Sequence, residues 1–89
     1  MNKPYLEVTY RHGKPLAAYL YLSRKAGDKA AYSQPVDDLL VVDHAADGRP
    51  IGIEILAPGS VTLGGLNSLM RSLHLPEIEP AEFKPLQVA

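Results

Sequence analysis

Asp43, His44, Asp47 and Glu54 form the one cluster in this sequence whose side chains could bind a cation or move a proton. A cation site needs several oxygens converging on one point, and Asp43 and Asp47 flank a single turn. The spacing fits neither a calcium loop nor a zinc motif. Aspartates beside a turn ordinarily accept hydrogen bonds from its amides, and that is the expected role of both. Glu54 stands between Ile53 and Ile55 and is expected to pair across strands or face water. His12 and His44 fall in turns and His74 at a helix end, so no two are spaced as a helical metal pair. None of the serines sits in a Gly-x-Ser-x-Gly elbow. The three glycines from Gly59 to Gly65 fit neither the dinucleotide nor the Walker pattern. No metal site is therefore expected, Asp43, Asp47 and Glu54 being the only candidates for one, and no motif calls for a catalytic residue or a cofactor.

Composition narrows the field further. The chain has 89 residues, the size of one small domain, and no cysteine, which removes disulfides, thiolate metal sites and thiol nucleophiles. Nine basic against ten acidic residues give a net charge of -1, without the basic excess that phosphate backbones attract. Arg24, Lys25 and Lys29 near Tyr32 could touch nucleic acid, but a solvated loop is the favoured reading, so a nucleic-acid partner is not expected. The longest apolar run, Leu16 to Leu22, falls far short of the roughly 20 residues that span a bilayer. With no signal-peptide pattern at Met1–Glu7, the expectation is a cytoplasmic protein without a membrane partner.

The elements that must position these side chains are mostly strands. Leu6, Val8 and Tyr10 alternate with polar residues, which predicts a strand over about 5–11. His12-Gly13 turns the chain, and Ala18-Tyr19-Leu20-Tyr21-Leu22 predicts a second strand over about 18–23. A short edge strand is expected over 30–34. Leu39 to Val42 carries apolar groups on consecutive positions, so a strand covered on both faces is expected over 37–43. Asp47-Gly48 is a hairpin signal, followed by a strand over 49–56. Leu63, Leu66, Leu69, Met70 and Leu73 share a helical stripe, giving a helix over about 62–74 capped by Thr62 or Ser60. His74-Leu75-Pro76 ends it. Pro80 to Phe83 suits one helical turn with proline first.

Together these elements predict an α+β domain over 1–75. It is an antiparallel meander of four or five strands with one helix on one face. A proline-containing tail over 76–89 packs on it through Ile78 and Phe83. One helix covers one face of such a sheet. Tyr19 and Tyr21 oppose Leu20 and Leu22, and Leu39 and Val41 oppose Leu40 and Val42. The second face therefore needs the tail or another copy of the chain. A homodimer joined sheet to sheet or edge to edge is expected, with Tyr19, Tyr21, Leu39 and Val41 at the interface.

Tyr19-Leu20-Tyr21-Leu22, Asp43, Asp47-Gly48 and Gly52-Ile53-Glu54-Ile55-Leu56 occur in the order seen in domain-of-unknown-function family 2283, and the chain from Tyr5 to Ala57 resembles that group of small prokaryotic proteins. The resemblance implies a β-meander plus helix and brings no activity with it. The family often has an acid before its Tyr strand, where this chain has Leu16-Ala17-Ala18, and an Asp two positions past the strand-ending Asp, where this chain has Ala45. The functional expectation is a non-enzymatic protein that associates with itself or another protein. The alternatives are a small ligand- or cation-dependent enzyme using Asp43, Asp47 and Glu54 and, more weakly, a nucleic-acid accessory protein.

Overall fold

The computed structural model describes residues 4–87. Five strands form one antiparallel sheet: β1 (Tyr5–Arg11), β2 (Lys14–Tyr21), β3 (Tyr32–Pro35), β4 (Leu40–His44) and β5 (Pro50–Ile55). A helix, α1 (Leu63–Ser72), follows, and a short one, α2 (Pro80–Phe83), lies in the tail. The chain is thus α+β. Among the described residues no helix is long and apolar enough to cross a membrane.

The spatial order β1-β2-β5-β4-β3 corrects the expected meander. The β1–β2 hairpin is joined to a separate β3–β4–β5 unit, with β5 beside β2. Burial explains the order. Ile51, Ile53 and Ile55 are wholly buried, so β5 needs neighbours on both sides, whereas every residue of β3 is exposed and suits an edge. The connection from β2 to β3 crosses the β4–β5 hairpin end. It is held there by Arg24 Nε to Ile51 O at 3.1 Å and Ala31 N to His44 O at 2.8 Å.

Strand β2 runs from Lys14 to Tyr21, starting four residues before the expected Ala18. His12 and Gly13 both take positive φ, the signature of a two-residue hairpin turn closed by Arg11 and Lys14. Pro15 then opposes Tyr10 at a non-hydrogen-bonded pair, where its missing N–H faces away from β1. Strand β4 starts at Leu40, later than expected, because Asp37 Oδ1 accepts from Leu39 N at 2.7 Å and Leu40 N at 3.0 Å, a local turn that delays the strand. Gly48 N bonds Ala45 O at 2.9 Å with Gly48 at positive φ, which closes the β4–β5 hairpin.

Helix α1 is capped by Thr62, whose Oγ1 accepts from Gly65 N at 2.9 Å. It ends in a Schellman motif. His74 takes φ +59, His74 N bonds Arg71 O at 3.0 Å and Leu75 N bonds Met70 O at 2.9 Å. The core joins Leu20, Leu22, Leu40, Val42, Ile53 and Ile55 to Leu66, Leu69 and Met70, and the tail adds Ile78, Phe83 and Leu86. Buried Asn67 fixes the tail by donating to Ile78 O at 3.0 Å and accepting from Ile78 N at 2.5 Å.

Candidate functional site

One sheet face is filled by this core. The opposite face is built by strand alternation. Tyr5 and Glu7 of β1, Tyr19 and Tyr21 of β2, Gly52 and Glu54 of β5, Val41 and Asp43 of β4 and Ser33 of β3 share it. Tyr5 and Tyr21 stack at 4.5 Å between ring centroids, and Tyr19 meets Tyr21 edge-on at 4.7 Å.

Gly52 makes the centre of this face possible. It lies opposite Tyr21 on one side and Asp43 on the other, and a Cβ there would overlap the Tyr19 hydroxyl and ring. Tyr19 therefore lies across β5, and its hydroxyl donates to Asp43 Oδ2 at 2.7 Å. Ser33 Oγ donates to Asp43 Oδ1 at 2.6 Å, so one carboxylate ties three strands together. Arg24 closes the cluster. Its Nη2 donates to the Tyr19 hydroxyl at 3.3 Å, and its Cζ lies 5.2 Å from the Tyr21 ring centroid. Tyr21 donates to Glu7 Oε1 at 3.3 Å.

The electrostatics make this a hydrogen-bonded plate. Burial, then the Asp43 carboxylate, holds the Tyr19 phenol protonated well beyond the usual tyrosine range. The Glu7 charge raises Tyr21 as well. Tyr19 thus works as a hydrogen-bond donor, and both oxygens of Asp43 already accept one bond each.

The metal candidates are not brought together. Asp47 turns to Arg49, accepting from its Nε at 2.7 Å and its backbone N at 3.1 Å. Arg49 also makes a two-pronged pair with Asp28, at 3.1 and 2.9 Å. The Arg49 side chain is the main cause holding both aspartates below the usual carboxylate range. Asp43 takes side-chain donors where turn amides were expected. Glu54 stands exposed opposite Tyr19 and Val41, with no basic residue across from it. Among the described residues no three His, Asp or Glu side chains converge as metal ligands.

Of the four expected interface residues, Tyr19, Tyr21 and Val41 stand half-buried on the outer face. Leu39 does not join them; lying before β4 in the Asp37 turn, it packs against the core. The roles of Arg24, Ser33 and Gly52 could not be read from the sequence. Arg24 and Ser33 become neighbours of Tyr19 and Asp43 only through the strand order. His44 is buried, with Nδ1 3.0 Å from Gly48 O and its ring stacked on Tyr32 at 4.7 Å.

No curated protein and no solved structure matches the chain. A family profile does match, over the segment that holds β5, β4, β3 and the Tyr strand. Residues 17–57 match the family model described as a protein of unknown function, DUF2283, the family that the hairpin and the Tyr strand resemble.

Proposed function

We propose that this chain is a non-enzymatic association domain of the cytoplasm that works by pairing with a further copy of itself through its sheet. One observation carries the reading. Tyr5, Tyr19, Tyr21 and Val41 present aromatic and apolar surface on the face opposite the core, to which both α1 and the tail contribute their buried side chains. Tyrosines locked by stacking and by hydrogen bonds lose little freedom when covered, which favours association. Glu7, Asp43 and Glu54 on the same face oppose a nucleic-acid backbone. Sedimentation of the full chain from micromolar to millimolar concentration tests the proposal. The expected result is a mass rising above 9.7 kDa, weakened by Tyr21→Lys at unchanged circular dichroism. A monomer throughout would overturn it.

A further inference from the structure

Strand β1 is the unpaired edge of the sheet next to β2, seven residues long, and its alternation is unbroken. The irregularity in that hairpin lies on β2, where Leu16 is the extra residue between Ala17, opposite Thr9, and Pro15, opposite Tyr10. Counting back from Arg11, which closes the turn, Leu6, Val8 and Tyr10 direct their backbone N–H and C=O groups away from β2. Those groups take no hydrogen bond from another described residue. The opposite edge is protected. Strand β3 has four residues and ends in Pro35. Nothing comparable guards β1, which contains no proline and no lysine.

The side chains of β1 are self-complementary. Tyr5, Glu7, Thr9 and Arg11 line its outer face, and Leu6, Val8 and Tyr10 its inner face. Arg11 makes no hydrogen bond or ion pair with another described residue, and Glu7 uses only Oε1, toward Tyr21. We infer that β1 pairs antiparallel with β1 of a second copy about a two-fold axis at Thr9, placing Glu7 of each copy opposite Arg11 of the other. This inference deepens the association reading and rests on it. In that register Thr9 meets its own counterpart, and Val8 and Tyr10 exchange the ladder hydrogen bonds. Each Tyr10 ring, 49% exposed in the single chain, covers the second copy's Val8. It reaches diagonally toward Leu6, at the mouth of an apolar groove of about 260 Å³ lined also by Pro4, Tyr5, Ala81, Phe83 and Pro85. Registers shifted by two residues lose both Glu–Arg pairs. The result is a continuous ten-stranded sheet, five strands from each copy, whose outer faces run together.

The test uses two charge reversals in the full chain, Glu7→Arg and Arg11→Glu, followed by sedimentation of each alone and of the two mixed. Each variant alone sets like charges opposite one another twice, and its dimer dissociation constant is expected to rise about tenfold. Mixed, the two variants restore opposite charges at both positions. A heterodimer as tight as the wild-type dimer is therefore expected, a gain that a folding defect in either variant would not produce. Wild-type dimers whose dissociation constant neither reversal changes would overturn the β1 register while leaving association through the sheet in place. A wild-type monomer at millimolar concentration would overturn both.

Discussion

The two faces of this sheet are built from the same strands by opposite means. The inner face is apolar and interchangeable in chemistry: Ile53, Ile55, Leu20 and Val42 are buried in one hydrophobic cluster, held by packing. The outer face is specific. A glycine clears space for one tyrosine, whose hydroxyl is held between a carboxylate and a guanidinium. Stability resides in the first face, and the second is arranged as a surface. A small domain places such directional order on an uncovered face at some cost in core size, which fits a face with something to meet.

The comparison predicts a graded set of outcomes. The largest effect belongs to the inner face. Ile53→Ala should cost about 3 kcal/mol, read as a lower denaturant midpoint at unchanged slope. Gly52→Ala comes next, at about 2 kcal/mol, because Tyr19 must leave its place over β5. In a Tyr19→Ala background the same substitution should cost far less, and a double-mutant cycle measures that coupling. Equal costs in the two backgrounds would show that Gly52 serves some other purpose.

Tyr19→Phe removes two hydrogen bonds, the one donated to Asp43 and the longer one accepted from Arg24, and should cost about 1.5 kcal/mol at neutral pH. Its pH signature is sharper. The folded state holds the Tyr19 phenol protonated above its unfolded range, so wild-type stability should fall as pH rises past about 10, where only the unfolded chain releases that proton. The Phe variant should lose less over the same alkaline interval, read by urea titrations at several pH values. The smallest effect lies outside the sheet. His74→Gly relieves a side chain held at φ +59 and should stabilise the chain by about 0.5 kcal/mol, seen as a higher Tm.

Much of the inner face was legible in the sequence. The alternation of Leu6 and Val8, the isoleucines of β5, the Asp47-Gly48 hairpin and the stripe of α1 each follow from local periodicity. Strand order was not, because nothing local to β2 says whether its neighbour is β3 or β5. That one ambiguity hid the outer cluster. Asp43 was visible as an acid beside a turn, but its partners Tyr19 and Ser33 are 24 and 10 residues away. Asp47 could be assigned its turn amide but not Arg49, whose guanidinium also reaches Asp28 in a crossing loop. Leu39 read as a strand residue because its turn depends on a side-chain bond from Asp37.

The claim that the sheet meets a second copy while the inner face holds the domain together is tested most directly by NMR of the full chain as its concentration is raised. The account predicts progressive shifts at the outward amides of β1 and at Glu7, Tyr10 and Arg11, while the methyl signals of Ile51, Ile53 and Ile55 stay fixed. Spectra that do not change with concentration, or changes centred on the inner isoleucines, would contradict it.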